Sequence, residues 1–296
     1  MSETVKGRII KGIAGFYYVY VEDKGVIECK AKGLFRNQKI KPLVGDSVTL
    51  QIIDEEKKLG NIDKINPRKN ELIRPAVANV DQAVVIFAVA EPEPHLNLLD
   101  RFLILMEKQQ VPVIIVFNKT DLTEESEVAY LRQIYEKSHY RTFATNAAAG
   151  VGVEEIRKLL KGKTTVLAGP SGVGKSTFMN LMQPEAAMAT GEISEKIKRG
   201  KHTTRHSELI YVSRETYMLD TPGFSSLYIE DVEAGDLWRY YPEFVEFEDR
   251  CRFAGCSHIK EPDCAVKDAL NDGLIAKERY DNYCKLYAEA AGRKKY

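Results

Sequence analysis

The stretch Gly169-Pro170-Ser171-Gly172-Val173-Gly174-Lys175-Ser176 has the spacing G-x-x-x-x-G-K-[ST]. It follows an apolar run (TTVLA) and opens a helical one (TFMNLM), as a phosphate-binding loop requires. Glycines at these positions let successive backbone N–H groups converge on phosphate oxygens. Lys175 can reach the β- and γ-phosphates, where it also serves catalysis, and the Ser176 hydroxyl suits Mg²⁺. Thr177 follows and is counted with the nucleotide-binding residues.

A second motif selects the base. Asn118-Lys119-Thr120-Asp121 follows the apolar run ending at Phe117. In α/β sheets ligands bind beyond the carboxyl ends of strands, so the placement fits. The Asp121 carboxylate can accept from guanine N1–H and the 2-amino group. Adenine would leave it unpaired, which a polar site penalises heavily. The four letters alone could be a turn. Together with the phosphate loop they favour GTP over ATP. Ala144-Thr145-Asn146-Ala147 sits where a loop could back the guanine ring, although the Ser-Ala of many GTPases is missing there.

A third group senses the γ-phosphate. Asp220-Thr221-Pro222-Gly223 follows the apolar run Tyr217–Leu219. Asp220 is placed to hold Mg²⁺ through a water, and the Gly223 amide to meet the γ-phosphate. Upstream, Gly200-Lys201-His202-Thr203-Thr204 supplies hydroxyls for the magnesium shell, with Thr204 preferred over Thr203. Ras-like enzymes orient water with a Gln after the glycine, whereas here Phe224 stands in that place. His202 is the nearby alternative, since a neutral imidazole can position water or take its proton; a solvated loop histidine is the competing reading.

Metal chemistry of another kind lies near the C-terminus. Cys251, Cys256, His258 and Cys264 fall within fourteen residues (CRFAGCSHIKEPDC). Three thiolates and one imidazole match a closed, tetrahedral structural Zn²⁺ site. A disulfide reading fits poorly with an intracellular nucleotide enzyme. The remaining thiols, Cys29 and Cys284, read as core or surface groups. Tyr280, Tyr283, Cys284 and Tyr287 recur at helical spacing, and packing against the zinc unit is the favoured reading of that stripe.

These groups need a scaffold, and 296 residues suffice for two or three domains. Hydrophobic residues at 44% and charged residues at 29% are the balance of a globular protein and exclude a wholly disordered chain. Net charge is zero, so an anionic partner must be met by local patches. Residues 1–74 carry 15 basic against 10 acidic side chains, and the last eighteen carry five against two. Residues 230–249 hold eight acids and one Arg. No apolar run reaches the length of a membrane span, and the N-terminus lacks a signal-peptide core, so the cytoplasm is expected.

The first seventy residues read as short strands separated by Asp23–Lys24–Gly25 and Val44–Gly45–Asp46. A small barrel follows, OB-fold in preference to SH3-like. From Val80 buried strands (AVVIFAVA, VPVIIVF, TTVLA) alternate with helical patterns over 96–110, 124–137 and 153–160. That is the rhythm of a mostly parallel sheet with helices on both faces. The expected organisation is a multidomain α/β chain: an OB-fold barrel over 1–70, a P-loop GTPase domain over 71–228 and a helical zinc-binding domain over 229–296.

The motif order is rotated. In ordinary GTPases the phosphate loop precedes the guanine motif, whereas here the order is 118, 169, 220. Domain termini often lie close together, so a chain can be rejoined there and reopened elsewhere. This order, the β-rich N-terminal region and the Cys-Cys-His-Cys tail together resemble the ribosome small-subunit-dependent GTPase A (RsgA) family over essentially the whole chain. The resemblance implies a circularly permuted GTPase using GTP/GDP and Mg²⁺, one structural Zn²⁺, and a switch at Gly-x-His-Thr-Thr. It also implies late maturation of the small ribosomal subunit, with hydrolysis stimulated by that subunit. A third Thr often follows the switch in this family; Arg205 stands there, and no role is carried to it. The expected partners are the small subunit with its rRNA and guanine nucleotide, without DNA or membrane, and the chain is expected to be monomeric. The competing function is a GTP-dependent switch that binds a protein.

Overall fold

The computed structural model describes residues 4–31, 35, 41–73, 75–182, 208–220, 229 and 231–293. Five strands close a barrel: β1 (Thr4–Ile13), β2 (Phe16–Val21), β3 (Gly25–Ala31), β4 (Ser47–Asp54) and β5 (Leu59–Ile65), in the order β1-β2-β3-β5-β4. β3 and β5 run parallel, and β1 pairs antiparallel with β4 from Thr4↔Gln51 to Arg8↔Ser47. This is the OB arrangement, and the SH3-like alternative falls away. Alternation at period two turns Ile9, Val19, Val21, Ile27, Val48, Leu50 and Ile62 into the interior, with Cys29 among them. β5 does not stand out in the sequence because Gly60 takes one of its inward positions and Ile62 is its only buried apolar side chain, so the alternation is weak.

A short pair, β6 (Glu71–Leu72) and β7 (Val77–Ala78), leads on to a six-stranded sheet. Its strands are β8 (Gln82–Ala88), β9 (Val113–Asn118), β10 (Arg141–Thr145), β11 (Thr164–Ala168), β12 (Leu209–Ser213) and β13 (Thr216–Asp220), in the order β10-β9-β8-β11-β13-β12. β8 and β10 both run parallel to β9, β11 runs parallel to β13, and β12 is the antiparallel edge. Every residue of β8, β9 and β11 is buried, as expected for strands covered on both faces.

Among the described residues the α-helices are α1 (Leu96–Lys108), α2 (Glu125–Glu136), α3 (Val153–Leu160), α4 (Lys175–Met182), α5 (Pro242–Glu248), α6 (Ala265–Asn271) and α7 (Lys277–Ala291). His95 caps α1 by accepting the Leu98 amide through Nδ1 at 3.1 Å. Phe102 of α1 meets Phe87 of β8 edge to face, with centroids 6.2 Å apart. None of the described helices is long and apolar enough to cross a membrane.

Two compact units result. One comprises Met1–Gln82, Arg157–Leu167 and Met179–Pro222; the other comprises Ala83–Ile156, Ala168–Phe178 and Gly223–Tyr296. The second has a core in which Leu237, Tyr241, Phe244, Val266, Tyr283 and Leu286 pack with Ile104 of α1.

Candidate functional site

The phosphate loop leaves β11 at Ala168 and enters α4 at Lys175. Gly169 and Gly174 have φ of +138° and +96°. A Cβ on the first would collide with the Ile86 carbonyl, and one on the second with the Asn118 amide. No L side chain is tolerated at either place, so the backbone can approach closely there. The loop leads into the N-terminus of α4, where unsatisfied amides and the helix dipole favour an anion. Lys175 Nζ donates to the carbonyls of Gly169 (2.8 Å) and Pro170 (2.6 Å). Ser171, Gly172, Ser176 and Thr177 are exposed, Pro170 is half-buried and Val173 is buried.

Asn118, the last residue of β9, is 3% exposed and ties three segments together. Its Nδ2 donates to the Val173 carbonyl at 2.8 Å, inside the phosphate loop. Its Oδ1 accepts from Thr145 Oγ1 and from the Ala147 amide, each at 2.9 Å. These three bonds fix the loop and the 144–147 segment relative to the end of β9. Lys119 turns the chain with φ +65°, and its Nζ donates to the Glu91 carbonyl. Thr120 and Asp121 lie in a 3₁₀ turn, with Asp121 exposed.

The structure therefore brings 118–121, 144–147 and 169–176 together. Asp220 ends β13, in register with Leu167 of β11, two residues before the phosphate loop. His202, Thr203, Thr204, Gly223 and Phe224 lie outside the described residues. The 144–147 segment was expected to back the guanine ring, but its bonds to Asn118 and the role of Glu91 were not legible in the sequence. Thr145 and Ala147 support Asn118, and Glu91 supports Lys119. The one available signal was position, because both lie at or just beyond the carboxyl ends of parallel strands.

The second site is built by the loop between α5 and α6. Donor atoms of Cys251, Cys256, His258 and Cys264 all lie within 4.8 Å of one another. Cys251 Sγ is 3.9 Å from Cys264 Sγ and 3.7 Å from His258 Nδ1, which is 3.4 Å from Cys264 Sγ. Tetrahedral zinc with bonds of about 2.3 Å to sulfur needs sulfurs roughly 3.8 Å apart, so the donor set fits the ion. Burial lowers the His258 pKa and keeps the ring neutral, as ligation requires. Burial also pushes the Cys256 thiol up to about 12 and raises Cys264, shifts that a divalent cation would reverse.

Around the cluster, Tyr280 Oη donates to the His258 carbonyl and Tyr283 Oη to that of Ser257, both at 2.7 Å. The tyrosine stripe of α7 therefore packs against this unit. Burial opposes ionisation of Glu261, but hydrogen bonds from Ser257 and the backbone outweigh it and hold the carboxyl at about 2. The His258 Nε2 is buried with no hydrogen-bond partner among the described residues; Trp238 and Phe244 stand edge-on to the ring at 6.1 and 5.9 Å. Orientation of the ring comes from aromatic walls, where many metal-bound histidines use a carboxylate.

Comparison with known proteins agrees with this architecture. The RsgA GTPase family model matches residues 65–230, and the RsgA N-terminal domain model matches residues 6–62. A relative from Agathobacter rectalis, named small ribosomal subunit biogenesis GTPase RsgA, is 58% identical over 300 residues, covering 98% of this chain and 99% of its own. One of the same name from Alkaliphilus metalliredigens is 51% identical over 291 residues, covering 98% and 99%. Among solved structures, YjeQ from Thermotoga maritima is 37% identical with a TM-score of 0.81, covering 99% of this chain and 100% of its own. YloQ, described as a circularly permuted GTPase, is 39% identical with a TM-score of 0.81, covering 99% and 97%. The chain belongs to the RsgA GTPase family and is a GTP hydrolase whose guanine motif precedes its phosphate loop in the sequence.

Proposed function

We propose that this enzyme hydrolyses GTP to GDP and phosphate during late maturation of the small ribosomal subunit, and that the subunit stimulates it. The observation that carries the nucleotide reading is Asn118, which joins the guanine motif to the phosphate loop through Val173. The names of the full-length relatives support the ribosomal part. In this reading the division is 1–70, 71–228 and 229–296, with the barrel meeting rRNA in the cytoplasm as a monomer.

Each residue then has a task. Asp121 accepts from the guanine edge, and Lys119 lies along the base. Amides from Gly169 to Ser176 cradle the phosphates. Lys175 exchanges the Gly169 and Pro170 carbonyls for the β- and γ-phosphate oxygens, where it offsets charge developing in the transition state. Ser176, Thr204 and, through water, Asp220 would hold Mg²⁺, which neutralises phosphate charge when bound. The Gly223 amide meets the γ-phosphate, and His202 orients the attacking water in the absence of a Gln at 224. Cys251, Cys256, His258 and Cys264 would hold one structural Zn²⁺, which would tie the loop between α5 and α6 together.

The deciding measurement is the GTP hydrolysis rate with small subunits, with large subunits and with neither. Stimulation by small subunits alone is expected, and equal rates in all three would overturn the assignment. For His202, the Ala variant should lose stimulated turnover while keeping nucleotide affinity; unchanged turnover places the water elsewhere.

A further inference from the structure

Within the first unit, barrel strands β1 and β2 and the β12–β13 hairpin flank a cavity of about 220 Å³. Three tyrosines and three cations line it: Tyr20, Tyr211, Tyr217, Lys6, Arg8 and Arg214. None belongs to the phosphate loop, the guanine motif or the cysteine cluster. Tyr20 and Tyr211 stack with centroids 4.2 Å apart and planes at 24°, and Tyr217 stands edge-on to both at 6.4 and 5.8 Å. Arg8 fixes this group. Its guanidinium lies 5.1 Å from the Tyr217 centroid, and its Nη1 donates to Thr164 Oγ1 (3.1 Å) and to the Gly45 carbonyl (3.3 Å). The aromatic shelf is preorganised, so a ligand would not have to order it.

Glu22 and Glu215 also line the cavity, so three cations face two carboxylates, a net charge of plus one. Arg214 Nε is 3.4 Å from Glu22 Oε1, with side chains 83% and 56% exposed. Such a pair contributes less than about 1 kcal/mol and is readily exchanged for another anion. Lys6 is exposed beside it.

We infer that this cavity takes one unpaired nucleotide of RNA, with its base on the tyrosine cluster and its phosphate beside Lys6 and Arg214. The inference rests on the ribosomal reading above and adds a place and a chemistry to it. Stacking platforms joined to cations are how proteins hold single strands without reading sequence. An acidic peptide would satisfy the cations but offers no flat group to the half-buried rings of Tyr20 and Tyr211. The volume is below the roughly 300–1,000 Å³ of pockets for drug-sized ligands, which limits the occupant to about one nucleotide.

The test uses the full chain and a fluorescent single-stranded RNA of mixed sequence, followed by anisotropy across a salt series. Tyr211→Ala should weaken binding about 5- to 150-fold, while Tyr211→Phe keeps it, because stacking and not the hydroxyl is lost. The double change Lys6→Gln with Arg214→Gln should lower the salt slope by about 0.7 per cation removed. Both altered residues are exposed, so this variant stands even if Tyr211→Ala folds poorly. Unstimulated GTP hydrolysis should match the parent in every variant. Parent-like affinity and slope in the Lys6/Arg214 variant would overturn the inference. So would polyglutamate that displaces RNA from the parent but not from that variant. Failure of the ribosomal reading looks different: the parent protein itself would show no stimulation by small subunits.

Discussion

Arg279 Nη1 donates to Asp100 Oδ1 across 2.7 Å with both side chains fully buried. Arg279 also grips Glu243 through Nε at 2.7 Å and Nη2 at 3.2 Å, and Asn282 Nδ2 donates to Asp100 Oδ2 at 2.8 Å. One guanidinium thereby links α1, α5 and α7, with the Tyr241 ring 4.3 Å from its centre. Burial opposes its charge, but Asp100 and Glu243 outweigh that and hold it protonated, well above the ordinary range. Arg279→Met strands two carboxylates and should cost about 3–5 kcal/mol in urea denaturation. Replacing Asp100 and Glu243 by Leu in the same chain should recover most of that. A single variant as stable as the parent would show that the carboxylates are reached by water.

Asn118→Ala should weaken GDP binding strongly. The Val173 carbonyl, the Thr145 hydroxyl and the Ala147 amide would each lose a buried partner. At about 1–3 kcal/mol per unsatisfied group, a loss of tenfold or more in calorimetric affinity is expected. Unchanged affinity would mean that the phosphate loop holds its shape alone.

Asp121→Asn should exchange guanine for xanthine nucleotides, because the amide presents a donor where the carboxylate accepted. Discrimination on the order of 10⁴ is the scale for such matched polar pairs. Competition between GDP and xanthosine diphosphate reads it directly, and retained preference for GDP would relocate base recognition.

Metal analysis should return one zinc per chain. Chelation should loosen the fold around α5–α7, seen as faster proteolysis there, while GDP still binds, since no residue of 118–121 or 169–176 belongs to the cysteine cluster. Absence of stoichiometric zinc would remove the metal assignment and leave three buried donors and a half-buried one to explain.

Stability should carry a pH signature from Glu289 on α7. Hydrogen bonds from Arg101 of α1, against the opposing effect of burial, hold its carboxyl below the ordinary value. A depressed pKa adds stability above the unfolded value, about 4.3, and that contribution is lost as pH falls through the folded value. With the two side chains 15% and 34% exposed, the pair is worth less than about 1 kcal/mol. The parent should exceed Glu289→Gln in denaturation midpoint by a constant margin from pH 8 to 5, narrowing below about 4.3. A margin that persists at pH 3 would assign the effect to packing.

Much of this protein is legible in its amino-acid order because the relevant chemistry is local. A phosphate loop works through consecutive amides, so Gly169 to Ser176 declare themselves by spacing. Cys251, Cys256, His258 and Cys264, the candidate metal donors, sit within one short loop for the same reason. Buried parallel strands such as Ala83–Ala88 show as unbroken apolar runs. Other features depend on residues far apart in the chain. Asn118 bonding to Val173, Arg279 meeting Asp100, and Tyr20 stacking on Tyr211 join positions separated by 55 to 191 residues. No periodicity encodes such pairs. They arise when folding excludes water and leaves each polar or flat group to find the partner that the topology brings to it.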